Sequence, residues 1–127
     1  RVKIRPGSPP LFGHWKNTPM FGLPGNPVSS HVVFRMLVVP YLRGSIGTTY
    51  PQDQIVHARL QTNVRSTKDC LTLRRVTLTS TNEGFIADQP KHQGSGNIES
   101  LSSADGLTLL QPGQSGDAGE LIEVLLL

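Results

Sequence analysis

The chain has 127 residues, a formal net charge of +3 and one cysteine, Cys70. This length suffices for one modest domain or for parts of two, and a lone cysteine excludes an internal disulfide and fits a reducing compartment. No segment approaches the roughly 20 apolar residues that span a bilayer. The basic residues are spread out and aromatic residues make up 6% of the chain, which argues against a nucleic-acid surface. We therefore expect a cytoplasmic protein that binds neither membrane nor nucleic acid.

The charges divide at residue 53. Residues 1–52 carry six Lys or Arg and no Asp or Glu, whereas residues 53–127 carry nine acids and six Lys or Arg. A cationic segment without carboxylates suits an anionic ligand. It suits equally well a basic face of a larger protein whose acidic partner lies outside this chain, so the charge alone leaves both interpretations open.

Proline and glycine divide the first 23 residues into short elements. The predicted strands are 2–5, 11–13 and 20–23, with a turn at 6–9 and a polar loop at 14–18. Alternation along the first strand places Arg1, Lys3 and Arg5 on one face. Three cations there repel one another unless an anion lies opposite, and a solvated edge strand protected by charge is the plainer interpretation.

The run Gly-Leu-Pro-Gly-Asn-Pro-Val-Ser-Ser at 22–30 predicts the start of a helix. Asn26 suits the N-cap and Pro27 the first helical position. The apolar segment 28–42 indicates a largely buried helix that Pro40 kinks or ends. An anion suits such a helix start, and Gly25 would let it approach closely, although capped starts without a ligand are common.

From the linker at 48–53 onward the chain is typical of β structure. The predicted strands are 55–60, 70–79, 85–87, 107–110 and 121–127, with a helical turn at 98–104. In strand 55–60 the odd and even positions lie on opposite faces. Short strands between turn clusters indicate a small barrel or sandwich.

Two further features suit an oxyanion. Arg74 and Arg75 are neighbours in a strand, so one of them points inward and needs a carboxylate or an oxyanion as acceptor. The glycine-containing loop at 92–97 places Ser95 where its hydroxyl and backbone N–H can donate, but an ordinary surface turn has the same composition. The histidines, the cysteine and the acids show no zinc or magnesium spacing.

Five sequence blocks occur in one order along nearly the whole chain. They are 5–9 (Arg-Pro-Gly-Ser-Pro), 21–29 (Phe-Gly-Leu-Pro-Gly-Asn-Pro-Val-Ser), Pro40, 92–95 (His-Gln-Gly-Ser) and 118–120 (Ala-Gly-Glu). With these blocks the chain resembles the C-terminal part of the molybdopterin molybdotransferase family, which includes MoeA and the E domain of gephyrin.

The resemblance implies a mixed α/β and β fold. Residues 1–46 would be the C-terminal part of a three-layer α/β domain, the third of the family, and residues 47–127 the fourth domain, a small β-barrel. The start at Arg1, directly in a strand, is also what a piece of a longer protein would show.

The resemblance also implies an activity. Family members insert molybdenum from molybdate into adenylylated molybdopterin, release AMP, need Mg²⁺ and form homodimers. Carried over by position, the molybdate and cofactor site would contain Arg1, Arg5, Pro24, Gly25, Asn26, Pro27, Arg74 and Ser95.

The sequence differs from the family's site pattern in two respects. Arg1 and Arg5 stand where the family usually has lysines, which keeps the charge but changes the hydrogen-bond geometry. The family's acidic metal ligands have no counterpart here, so we expect Mg²⁺ to bind outside this chain, assign no catalytic residue and expect the chain alone to be inactive. A non-catalytic β-barrel module that binds a protein partner is the alternative.

Overall fold

The structure, a computed structural model, describes residues 2–7, 9–47, 53–90 and 99–127. The first part contains β1 (Ile4–Arg5), β2 (Leu11–Trp15), β3 (Thr18–Gly22), α1 (Pro27–Val33), a π-helical turn (Phe34–Val38) and α2 (Val39–Ser45). The second part contains β4 (Ile55–Leu60), β5 (Leu71–Thr72), β6 (Arg75–Thr81), β7 (Gly84–Asp88), α3 (Glu99–Ser102), β8 (Gly106–Thr108) and β9 (Leu121–Leu126). Within the described ranges, no helix is long and apolar enough to cross a membrane.

Strands β2 and β3 form an antiparallel hairpin, which corrects the polar loop predicted at 14–18. The strands pair up to Trp15 and Thr18, so only two residues remain in the turn. Lys16 and Asn17 adopt φ angles of 46° and 68°. Two consecutive positive φ angles match the twist of a two-residue hairpin, and a strand can therefore continue through residues that composition assigns to a loop.

The helix begins where the sequence predicts. The side chain of Asn26 accepts hydrogen bonds from the backbone N–H groups of Val28 (3.0 Å) and Ser29 (3.3 Å), and Pro27 is the first helical residue. The helix does not end at Pro40. A π-helical turn ends at Val38, two residues before that proline, and α2 continues beyond it to Ser45. The wider turn accommodates a residue that lacks a backbone N–H.

The second part closes into a five-stranded barrel of order β4-β7-β6-β8-β9, which confirms the predicted barrel. Strand β4 closes it, pairing parallel with β7 and antiparallel with β9. The predicted alternation of β4 is confirmed, since Ala58 and Leu60 are buried whereas its odd-numbered residues are exposed. The interior is apolar and contains Ala58, Leu60, Val64, Val76, Ala87, Leu110, Ile122 and Val124.

A second apolar core joins the helix to the barrel. Val32 and Val33 of α1 and Ile4 of β1 are buried with Leu73 and Leu107 of the barrel part. Strand β1 also pairs in parallel with β5, with Ile4 opposite Leu71. The two parts therefore share a core, while the boundary that we predicted at residues 46 and 47 stays a prediction because residues 48–52 lie outside the described ranges.

The strand predicted at 70–79 is interrupted, which is a correction. Strand β5 ends at Thr72 and β6 begins at Arg75. Between them, the backbone N–H of Arg74 donates to Oγ1 of Thr108 (2.9 Å), and the same hydroxyl donates to the carbonyl of Thr72 (3.0 Å). The chain changes partners here, from β1 on one side to β8 on the other.

The loop before β9 is built around one carboxylate. Glu120 accepts hydrogen bonds from the side chains of Ser115 (2.6 Å) and Gln114 (2.8 Å) and from the N–H groups of Gly116 (2.7 Å) and Asp117 (3.1 Å). These bonds lower the pKa of the Glu120 carboxyl, the Ser115 hydroxyl contributing most. The last residue of the Ala-Gly-Glu block, Glu120, therefore has a structural role in this loop.

We predict that Gly116→Ala destabilises the chain more than Gly113→Ala does. Both glycines have positive φ angles, 71° and 81°, so each substitution costs about 1–2 kcal/mol of backbone strain. A Cβ on Gly116 would also collide with the carbonyl of Val64, whereas one on Gly113 meets nothing within 4 Å. Urea unfolding of both variants checks this, and equal losses of stability would contradict it.

Candidate functional site

A cleft of about 110 Å³ lies between the start of the helix and the barrel. Its helical wall consists of Asn26, Val28, Ser29 and Val32, its barrel wall of Leu73, Arg74 and Arg75, and Pro6 lies at its edge. The cleft thus joins the helix-start block, the turn after β1 and the arginine pair, three segments that are far apart in the sequence. Val32 and Leu73, one from each wall, also belong to the apolar core that joins the helix to the barrel.

The helix start presents a side chain, not free backbone donors. The N–H groups of Val28 and Ser29 bond the Asn26 carboxamide oxygen, so the donors that we expected to face an anion are capped. The cap is itself fixed, because Ser30 donates its backbone N–H to the Asn26 carbonyl (2.9 Å) and its hydroxyl to the Pro24 carbonyl. With its oxygen occupied, Asn26 retains its amide NH₂ group as a donor.

The two arginines differ in burial. Arg75 is the inward one, with 2% of its surface exposed, and burial lowers its pKa. Arg74 is half-buried, and its pKa is lowered first by burial and then by the positive charges of Arg5 and Arg65. The guanidinium groups of Arg5 and Arg65 therefore lie within electrostatic range of Arg74, which lines the cleft.

Several predicted site residues come together. Asn26 and Arg74 line the cleft, and Arg5 lies close enough to Arg74 for its charge to act on that guanidinium. Pro24, Gly25 and Pro27 surround the cap without lining the cleft. Arg1 and Ser95 lie outside the described residues.

Arg75 and Arg65 were not among the predicted site residues. The strand pattern indicated that one arginine of the pair points inward but did not identify which one. The register of β6 against β8, which pairs Arg75 with Leu107, shows that it is Arg75. Arg65 is an exposed loop residue in an irregular segment, and no sequence signal connected it to the cleft. Among the described residues, no three His, Cys, Asp or Glu side chains gather as a metal site would require.

Part of the basic segment has an acidic partner inside the chain. Asp53 forms ion pairs with Arg35 (2.7 Å) and Arg43 (2.8 Å). Neither interpretation of the charge asymmetry holds for these two cations, because their acidic partner is a residue of the same chain. This pairing does not extend to Arg5, whose charge acts on Arg74 at the cleft.

Comparison with known proteins places the chain among molybdenum-cofactor proteins. A sequence profile described as the MoeA C-terminal region (domain IV) matches residues 57–127. Over 111 residues the chain is 35% identical to molybdopterin molybdenumtransferase 1 of Mycobacterium tuberculosis, a match that covers 84% of the chain and 23% of that protein. Over 47 residues it is 47% identical to the Drosophila melanogaster molybdenum cofactor synthesis protein cinnamon, covering 37% of the chain and 8% of that protein.

Solved structures agree with this placement. The structure of a molybdopterin biosynthesis MoeA protein from Pyrococcus horikoshii superposes with a TM-score of 0.79 and 36% identity, and the match covers 98% of the chain and 30% of that protein. A molybdenum cofactor biosynthesis protein from Pyrococcus furiosus superposes with a TM-score of 0.75 and 29% identity, covering 98% and 43%. The chain spans less than a third of the length of the curated relatives described above.

His31 lies beside the cleft on the same helix. It is half-buried, and its Nδ1 atom is buried without a hydrogen-bond partner among the described residues. Burial lowers the pKa of His31, and the positive charges of Arg75 and Arg35 lower it further. The folded chain therefore favours the neutral imidazole.

We predict that the chain loses stability as the pH falls below about 6.5, where an unfolded histidine takes up its proton. The folded-state pKa of His31 is lowered, so protonation favours the unfolded chain until the pH passes below that folded value. His31→Gln should flatten this dependence, and His57→Gln, at an exposed histidine, should leave it in place. Urea unfolding between pH 5 and pH 8 tests this, and identical pH profiles for wild type and His31→Gln would contradict it.

Proposed function

Because the chain belongs to the MoeA family, whose C-terminal region (domain IV) it contains, we propose that it is the C-terminal portion of a molybdopterin molybdotransferase. That enzyme inserts molybdenum from molybdate into adenylylated molybdopterin and releases AMP. Within this activity, the cleft between the helix start and the arginine pair binds a tetrahedral oxyanion, either molybdate or a phosphate of the cofactor.

The observation that carries this proposal is the charge around Arg74. It is half-buried in the wall of a cleft, and the charges that lower its pKa, Arg5 and Arg65, are both positive. Like charges in such proximity are unfavourable unless a negative charge joins them. A guanidinium presents a planar fork of N–H donors that matches an oxyanion.

The chain's own residues would have distinct tasks in binding. Arg74 and Arg5 donate to the oxyanion and neutralise its charge, and the Asn26 amide donates from the helical side. Arg75, which is more deeply buried than Arg74, supports the wall on which Arg74 lies. Arg1 and Ser95, at the positions that match the family's site, would add a third cation and a hydroxyl donor.

Magnesium does not fit the residues described here. No cluster of acids, histidines or cysteine suited to a metal is present among them, and we derive no step through the metal. That the Mg²⁺ ligands lie outside this chain stays a proposal, made because the family's acidic metal ligands have no counterpart in this sequence. We also propose that the active form is a homodimer of longer chains. On this account the 127 residues bind an oxyanion weakly and release no AMP on their own.

We predict that Arg74→Ala weakens molybdate binding by about tenfold while the protein stays folded. One charge-assisted hydrogen bond contributes about 1.5–3 kcal/mol, and salt screening reduces this in an open cleft. The matched control is Arg59→Ala, which removes the same charge from the outer face of β4. Molybdate titrations at two salt concentrations, with this chain alone and with it replacing the C-terminal region of a full-length relative, provide the measurement.

Unchanged affinity in Arg74→Ala would remove Arg74 from the site. If the unsubstituted protein bound neither molybdate nor phosphate in either context, the oxyanion site would be wrong. The alternative, a non-catalytic barrel module that binds a protein partner, would then be the better account.

A further inference from the structure

The carboxylate of Asp53 connects the helix to the barrel. Its Oδ1 atom accepts hydrogen bonds from Nη1 of Arg35 (2.7 Å) and Nη1 of Arg43 (2.8 Å). Asp53 stands two residues before β4, the strand that closes the barrel, whereas both arginines belong to the helix. We call these three residues the clamp.

Arg35 makes a second contact with the barrel. Its Nη2 atom donates to the backbone carbonyl of Leu126 (3.1 Å), the last residue of β9. The N–H of Leu126 donates in turn to the carbonyl of Gln54 (2.9 Å), beside Asp53. A single guanidinium, that of Arg35, therefore bonds both the segment just before β4 and the end of β9.

The π-helical turn brings both arginines onto one face of the helix. Residues eight apart in a regular α-helix differ by about 80° around its axis, at 3.6 residues per turn. A π turn absorbs roughly one extra residue, which reduces this difference to about 20°. Because Arg35 lies inside the turn and Arg43 lies beyond it, both side chains reach the same oxygen atom.

The clamp is more than a pair of surface charges. The side chain of Arg35 is only 14% exposed, and those of Arg43 and Asp53 are 28% and 36% exposed. Burial raises the pKa of the Asp53 carboxyl, but hydrogen bonds and positive charge from Arg35 and Arg43 outweigh it and the pKa is lowered. Asp53 is therefore ionised throughout the neutral range, and the clamp stays closed there.

The clamp lies next to the cleft along the helix. Val32, which lines the cleft, precedes Arg35 by three residues, just under one helical turn. On the barrel side, Leu126 pairs with Gly106 in β8, next to Leu107, and Leu107 lies opposite Arg75. A shift of the helix at Arg35 would therefore change the distance across the cleft between Ser29 and Arg74.

We propose that Arg35, Asp53 and Arg43 are positioning residues for the oxyanion cleft. They fix the helix against the barrel so that the Asn26 and Arg74 donors converge on one ion. This inference rests on the proposed function of the cleft and adds to it residues that touch neither molybdate nor cofactor. It also gives the π turn a task, the alignment of two arginines on one carboxylate.

The experiment compares Asp53→Asn with Glu83→Gln, a variant with the same charge change at an exposed site in the β6–β7 turn. Backbone amide shifts of Ser29, Val32 and Arg74 report cleft geometry without any ligand. Titration with sodium molybdate reports affinity, and urea unfolding reports folding. In a full-length relative carrying this region, KM for molybdate and kcat are measured separately.

We expect Asp53→Asn to shift the amides on both walls of the cleft and to weaken molybdate binding by roughly 3- to 10-fold, as the loss of two partly exposed ion pairs allows. KM should rise while kcat stays near its original value, because the clamp positions the residues that bind the ion and does not contact the ion itself. Glu83→Gln should change neither. Arg43→Lys should preserve affinity, since Arg43 makes one contact, and Arg35→Lys should not, since lysine cannot bridge two fixed acceptors.

The outcomes separate this inference from the proposed function. If the unsubstituted protein binds no molybdate, the proposed function fails. The amide shifts measured without ligand then test whether the clamp fixes the cleft geometry. Cleft amides in Asp53→Asn that match those of Glu83→Gln would overturn the positioning role, as would equal molybdate affinities. If Asp53→Asn does not fold, the comparison of Arg35→Lys with Arg43→Lys decides, and equal effects of those two would overturn it.

Discussion

Val32 and Val33 of the helix are buried against Leu73 and Leu107 of the barrel, and both the cleft and the ion cluster at Asp53 depend on that contact. Full burial of such a side chain contributes about 1.5–3 kcal/mol. The contact lies between the two sequence segments that supply the cleft walls, so it brings the Asn26 cap near the arginine pair. Without it, the helix would be joined to the barrel by the chain, by the short β1–β5 pairing next to it and by the polar contacts of Arg35 and Arg43.

Charged residues surround this apolar contact unevenly. On one side Asp53 neutralises Arg35 and Arg43. On the other side Arg74 lies within range of Arg5 and Arg65, and the described residues supply no acid that offsets its charge there. The same docking of helix on barrel therefore creates a closed ion cluster and an open positive one, and the open one has the character of an oxyanion site.

The sequence predicted those elements whose cause is local. The cap at Asn26 and the alternation of β4 follow from residue type and spacing, and the barrel followed from the strand pattern together with the family resemblance. Elements whose cause is a distant partner were missed. The break at Leu73 and Arg74 comes from a change of neighbouring strand and from the hydroxyl of Thr108, and neither is visible in a window of sequence.

The candidate site divides in the same way. Motif position identified Asn26, Arg5 and Arg74, but only the register of β6 identifies Arg75 as the inward arginine. The acidic partner of Arg35 and Arg43 is Asp53, the first residue after the basic segment. The sequence did not identify this pairing, because it depends on the π turn, which rotates Arg43 toward Asp53. A helix drawn with regular α geometry would not place both arginines on that carboxylate.

The central claim is that one tetrahedral oxyanion binds between the helix start and the arginine pair. The most direct measurement is a crystal structure of the protein soaked with sodium tungstate, a heavy tetrahedral analogue of molybdate that anomalous scattering locates without ambiguity. The account predicts an anomalous peak within hydrogen-bond distance of Arg74 and facing Asn26. A peak at another surface with this cleft empty, at a tungstate concentration that saturates the protein in solution, would contradict it.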